Sequence, residues 1–284
     1  MKKMTILHCF YGNQPAMKIS AVIDNLSECA LEAEHGLSLF VEVADLSFFF
    51  DLGQSDMFLR NAAAMGIDVS KAGCAVISHG HYDHGGGLAA FLEANKKAKV
   101  LLSEYAFGDY RSLRNGELHY IGLDKTQEGN DRLVRTGGVT PLGDHVVLFS
   151  DVAGRKFYSP ANGRLYSRIN GEFVNDSFAH EQNAIVVEGD RRVLIAGCAH
   201  SGIVNIIERA ESILGEPVTD VLGGMHLKGV EDDAFIDALG EDLSARACTY
   251  YTCHCTGEYA FTRLKSKLGD RLHYFSAGSV LQIP

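Results

Sequence analysis

Apolar residues recur along the chain in short blocks at two periods, and the blocks alternate. Continuous or alternating apolar runs at residues 5–9, 36–42, 46–51, 74–77 and 99–103 predict strands; the second and third form a hairpin turning at Ala44-Asp45. Phe58, Leu59, Ala62, Ala63 and Met65 recur at helical spacing up to Gly66, and residues 88–92 open a helix expected to begin near Gly86. From 104 to 176 the periodicity weakens, with a short strand expected at 146–149 and hairpins around 156–173. It then returns. Strands at 184–188 and 192–196 meet at Gly189-Asp190, and further strands at 220–222, 249–252 and 273–276 alternate with helices through Ile203–Leu214, Phe235–Leu243 and Tyr259–Leu268. Strands alternating with helices predict an α/β fold.

One stretch carries most of the chemistry: Ser78-His79-Gly80-His81-Tyr82-Asp83-His84-Gly85-Gly86-Gly87 follows strand 74–77 and precedes a helix. Its place at the carboxyl end of a strand is where α/β ligand sites gather. In extended chain His79 and His81 point the same way and can grip one ion, while Asp83 and His84 lie where the chain turns and reach a different point. Neutral imidazole with carboxylate suits zinc, iron or manganese, and two ions about 3.5–4 Å apart would form a hydrolytic clamp. The three glycines let backbone pass close by. Three later strands also end in histidine-bearing loops, at Gly197-Cys198-Ala199-His200, Gly223-Gly224-Met225-His226 and Cys253-His254-Cys255.

The bulk numbers narrow the setting. A chain of 284 residues, 46% hydrophobic and 22% charged, is ordinary globular protein. A net charge of -10 disfavours binding to nucleic acid or to an anionic membrane, since both need cationic surface. No apolar run is long enough to span a bilayer, and the polar start does not read as a signal peptide. Seven scattered cysteines, an odd number, fit free thiols in a reducing cytoplasm. Cytoplasmic location is therefore expected, with a small-molecule substrate as partner; oligomeric state is not legible.

The His-x-His-x-Asp-His segment resembles the signature of the metallo-β-lactamase superfamily, and Asp51-Leu52-Gly53 after Phe48-Phe49-Phe50 resembles that family's earlier aspartate motif. The resemblance implies a four-layer αββα sandwich in one domain over 1–284, with 104–176 as a lid-like segment. It implies that Asp51 supports the metal loop by hydrogen bonds, and that the metal ligands are His79, His81, Asp83, His84, Cys198, a further histidine and His254. Cys198 stands where a strand-ending Asp or Cys is expected, although a buried cysteine can equally be a packing residue. The further histidine is His180 or His200. The words around Cys198, His200, His226 and His254 resemble a branch of 7,8-dihydropterin-6-methyl-4-(β-D-ribofuranosyl)aminobenzene-5′-phosphate synthase-like proteins, which favours His200. Cys253 and Cys255 would point away from His254 in extended chain and read as packing residues, while His8, His35, His119, His145 and His273 have no companions and read as structural.

These residues imply a hydrolase with two divalent ions, zinc first and manganese or iron otherwise. Asp83 and His226 would be catalytic, Asp83 orienting the nucleophile and His226 giving a proton to the leaving group. His226 can also be read as a hydrogen-bonded residue at a strand end. The branch resemblance offers a transferase joining a pterin to an aminobenzene ribofuranosyl phosphate, and some superfamily members offer a third reading, a di-iron redox protein.

Overall fold

The computed structural model describes residues 17–283. In chain order its strands are β1 (Met17–Ile23), β2 (Ser38–Val43), β3 (Leu46–Phe50), β4 (Cys74–Ile77), β5 (Lys99–Ser103), β6 (Tyr110–Arg114), β7 (Glu117–Tyr120), β8 (Leu133–Thr136), β9 (Val139–Leu142), β10 (Val146–Phe149), β11 (Leu165–Ile169), β12 (Glu172–Asn175), β13 (Asn183–Glu188), β14 (Arg191–Ile195), β15 (Asp220–Gly223), β16 (Thr249–Thr252), β17 (Leu272–Tyr274) and β18 (Val280–Ile283). The helices are α1 (Met57–Ala64), α2 (Tyr82–Gly85), α3 (Leu88–Ala94), α4 (Ile203–Leu214), α5 (Asp233–Ser244) and α6 (Glu258–Leu268). The strand expected at residues 5–9 lies outside the described residues.

Two mixed sheets carry the fold, ordered β18-β1-β2-β3-β4-β5-β8 and β17-β16-β15-β14-β13-β10-β9. Alternation explains why their strands read as unbroken apolar runs. In β3, Phe48 and Phe50 enter the core between the sheets while Phe49 packs on the helix side with Phe58 and Phe91. In β14, Val193 and Ile195 face the other sheet and Leu194 faces α4, α5 and α6. Each strand is buried on both faces, which is the pattern of a sheet covered by helices. Burying each phenylalanine contributes roughly 1.5–3 kcal/mol. Helix, sheet, sheet and helix make the αββα sandwich.

The weakly patterned middle segment divides between several sheets. Strand β8 extends the first sheet, β9 and β10 extend the second, and β12-β11-β6-β7 form a third sheet beside the loops. Alternation in Tyr110-Arg111-Ser112-Leu113-Arg114 is half polar because only one face of that small sheet is covered. Strands β1 and β18, which the periodicity also missed, pair with each other across nearly the whole chain length.

The helix expected near Gly86 is α3, which starts at Leu88, and a separate helical turn, α2, precedes it from Tyr82, held by Tyr82 N–H donating to Ile121 C=O at 2.9 Å and Gly86 N–H to Tyr82 C=O at 2.7 Å. The glycines serve this turn: a Cβ on Gly86 or Gly87 would collide with the carbonyls of Gln54 and Leu52. Among the described residues no helix is long and apolar enough to cross a membrane.

Candidate metal centre

Strand β4 delivers the loop to one edge of the sandwich, and Asp51, at the end of neighbouring β3, organises it. The Asp51 side chain is fully buried and accepts from Ser78 N–H at 2.7 Å, Ser78 O–H at 2.7 Å and His84 Nδ1 at 2.6 Å. Because Ser78 Oγ donates to Asp51, it accepts from His79 Nδ1, 2.9 Å away. These partners assign the tautomers. Both imidazoles have Nδ1 engaged and turn Nε2 into the site.

The remaining groups arrive from the second sheet, each with its ring held from behind. His200, past β14, sets Nδ1 against Asn162 Oδ1 at 3.1 Å, stacks on Phe178 with centroids 4.3 Å apart, and donates its backbone N–H to Glu181 at 2.6 Å. His254, past β16, sets Nδ1 against Asn25 Oδ1 at 2.9 Å and donates its backbone N–H to Asp24 at 2.6 Å. The inward atoms then converge. His79 and His200 Nε2 lie 3.3 Å apart, His84 and His254 Nε2 lie 3.2 Å apart, and Cys198 Sγ is 3.2 Å from His84 Nε2. Asp83 Oδ2 is 3.3 Å from His254 Nε2. His79, His81 and His200 form one ligand-spaced group, and His81 Nε2 is buried without a hydrogen-bond partner among the described residues.

His79 and His200, each with Nδ1 engaged, face each other through Nε2 lone pairs that repel unless a cation lies between them. Burial, the largest effect, with neighbouring histidines, holds His79 and His200 well below their ordinary value and His81 down to about 3, so all three are neutral donors. At Asp83 burial opposes ionisation, yet His84, His254 and His35 outweigh it and hold the carboxyl well below its ordinary range. At His84 burial favours the neutral ring, but Asp51 and Asp83 outweigh it and lift the group to about 9. Without an ion its Nε2 therefore carries a proton at neutral pH, and a divalent cation would replace it. Orphaned and repelling lone pairs, with thiol and carboxylate among them, fit divalent metal.

His180 is arranged differently. Its Nδ1 accepts from Gly80 N–H at 2.8 Å and its Nε2 meets Asp176 at 3.1 Å, so both ring nitrogens are spent on holding the loop. His226 is half-buried, with its ring 4.2 Å from that of His200 and Nδ1 unpartnered among the described residues. Asp51, Ala199, His226 and His254 all have left-handed backbone, with φ of 63°, 56°, 48° and 48°. That conformation costs non-glycine residues about 1–2 kcal/mol each, and its concentration around one site marks where packing is used to aim side chains.

Two expectations from sequence are corrected here. His35 is not companionless: its Nε2 lies 3.2 Å from Asp83 and its ring 5.0 Å from that of His254. Cys255 does not point away, because the chain turns at His254 instead of running extended, and its sulfur lies within 4.8 Å of the inward atoms of Cys198 and His254. Asn25, Asn162, Asp24 and Glu181, which hold the histidines in place, carried no sequence signal, being polar residues outside the regular strands and α-helices with no spacing that sets them apart. The site opens into a cleft of about 190 Å³ lined by His35, Asp83, Arg114, His226, Lys228 and Cys255 among others. A larger groove of about 760 Å³ beside α5 and α6 has Arg263 already paired with Asp237 at 2.7 Å, and its described lining includes neither histidine nor cysteine.

The model of the metallo-beta-lactamase superfamily matches residues 35–212. Among solved structures, a metal-dependent hydrolase of the beta-lactamase superfamily is 32% identical, with a TM-score of 0.81 covering 94% of this chain and 99% of that one. The metallo-beta-lactamase fold protein YhfI from Bacillus subtilis, 10% identical with a TM-score of 0.57 over 95% of this chain and 100% of that one, is alike in fold. Two proteins of Methanocaldococcus jannaschii are also similar. An uncharacterized protein is 28% identical over 271 residues, 93% of this chain and 98% of that protein. The other is named 7,8-dihydropterin-6-methyl-4-(beta-D-ribofuranosyl)-aminobenzene-5'-phosphate synthase and is 23% identical over 270 residues, 88% of this chain and 90% of that protein.

Proposed function

The chain belongs to the metallo-beta-lactamase superfamily, and from that premise we propose that it is a metal-dependent hydrolase of a small metabolite. The observation that carries the reading is the convergence of His79, His81 and His200 beside Asp83, His84 and His254, with Cys198 between the two groups. Those residues would hold two divalent ions, zinc for preference given the thiol. Bound there, the ions supply Lewis-acid activation of water and of the electrophile. The proposed unit is the whole chain, since ligands from His79 to His254 serve one site.

The protein's own groups would do the rest. Asp83, held ionised, accepts a hydrogen bond and orients the nucleophile. His226, on the cleft wall with a free ring nitrogen, delivers a proton to the leaving group. Arg114 and Lys228 are exposed at the cleft and form no ion pair among the described residues, which supports a substrate carrying an anionic group such as phosphate.

A transferase reading is favoured by one observation, the similarity to the relative named a synthase. Metal-loaded protein given phosphodiesters and lactones should hydrolyse at least one class. Product formation only with a pterin and an aminobenzene phosphate, seen by mass spectrometry, would replace the hydrolase reading with the transferase one.

A further inference from the structure

The six described cysteines fall into distinct environments. Cys74 and Cys253 pack in the apolar core between the sheets, and Cys248 packs under the outer helices; Cys29 is exposed. Cys198 and Cys255 are buried yet belong to no apolar cluster. Their sulfurs and a ring nitrogen of His254 all lie within 4.8 Å of one another.

The Cys255 sulfur is tied to backbone on two sides: as a thiol it donates to the Cys198 carbonyl at 3.5 Å, and it also accepts. His226 N–H donates to it at 3.2 Å, from a backbone held at φ 48°. Gly224 leaves the space the sulfur fills, since a Cβ there would collide with it. Gly223, with φ 142°, makes the bend that presents this segment, and a Cβ on it would strike the Ala196 carbonyl. The Cys255 carbonyl is pinned in turn by the N–H groups of Leu227 and Lys228, both at 2.9 Å. Backbone N–H bonds to sulfur stabilise a thiolate more than a neutral thiol, whose sulfur is only a weak acceptor.

We propose that Cys255 is a metal ligand, binding the same ion as Cys198 and His254 and making that position a two-thiolate site. The inference rests on the metal-centre reading above and extends it to metal choice. Two thiolates with imidazole select soft or borderline divalent ions such as zinc, cobalt and cadmium over magnesium, calcium and manganese. On binding, two sulfur–metal bonds form, each thiol gives its proton to solvent, and no redox change occurs.

The test is the cobalt(II)-loaded full chain, prepared without oxygen, read by its sulfur-to-cobalt charge-transfer band with metal content measured on the same sample. Cys255→Ser should reduce the band to about half, and Cys198→Ser with Cys255→Ser should abolish it, while Cys253→Ala leaves it unchanged. A wild type that binds no cobalt overturns both this inference and the metal-centre reading. Cobalt bound with the full band surviving in Cys255→Ser overturns the assignment of Cys255 alone. Should that variant fail to fold, cadmium-113 NMR of the wild type decides: a resonance in the two-sulfur range supports the assignment and resonances confined to the one-sulfur range refute it.

Discussion

Replacing Asp51 tests the reasoning that ties the fold to the metal loop. The carboxylate accepts three hydrogen bonds of 2.6–2.7 Å in a fully buried place. Asp51→Ala leaves Ser78 N–H and His84 Nδ1–H without acceptors, each costing about 1–3 kcal/mol, and breaks a buried charged pair. A total loss of about 3–5 kcal/mol follows, which lowers the melting temperature of the metal-free protein by roughly 10 °C. Asp51→Asn keeps an oxygen for Ser78 N–H but turns an amide N–H toward His84 Nδ1. That reverses the tautomer of the neutral His84 ring, so its one remaining proton stays on Nε2, the atom facing Cys198 and His254, instead of on Nδ1. Zinc affinity should fall at least about 10–100-fold, measured by competition with a chromophoric chelator. If Asp51→Asn binds zinc as tightly as the wild type, the tautomer argument is wrong; an unmoved melt in Asp51→Ala would discard the estimate of what the network contributes.

His200→Ala should lose bound metal, whereas His180→Ala should keep it and lose only the stability of its bonds to Gly80 and Asp176; metal analysis of the two purified variants separates them. His84, lifted from its ordinary 6.5 to about 9, contributes on the order of 3 kcal/mol to the metal-free protein below about pH 6.5, and that contribution disappears as pH rises through about 9. Zinc affinity should rise over the same window, because less proton has to be displaced, and melts and chelator competition at both ends check the opposite signs. Lys228→Ala and Arg114→Ala should raise KM about tenfold or more for an anionic substrate and leave a neutral analogue unaffected. Removing metal with a chelator should cost about 2.7 kcal/mol when free metal had stood at a hundred times its Kd, seen as a lower melting temperature.

Much of the fold was legible in the sequence because strands buried on both faces leave unbroken apolar runs. The hairpin at Ala44-Asp45 and strands at 74–77, 99–103 and 146–149 could be placed from such runs alone. Strands β6 to β9 could not, since four or five residues offer too few alternations and all are partly exposed, β6 and β7 in the small third sheet and β8 and β9 at the edges of the two main ones. Strands β1 and β18 pair across more than two hundred residues, and local pattern holds no record of a partner that distant.

The same division runs through the site. Spacing in the chain brought His79, His81, Asp83 and His84 to one place, because backbone geometry over six residues is short-range and steric, although the His84 ring lies 4.1 Å from that of His79 rather than apart from it. What the tertiary structure decided is which distant groups meet them. In sequence His180 and His200 were both open, with the branch resemblance favouring His200; in the fold Asp176 and Gly80 engage both nitrogens of the first while Asn162 and Phe178 turn the second inward. The surroundings of Cys255 and His35 depend on the same kind of distant packing. A single left-handed residue at His254 reverses the face that Cys255 presents, and packing between elements far apart in the chain determines whether a residue takes that conformation.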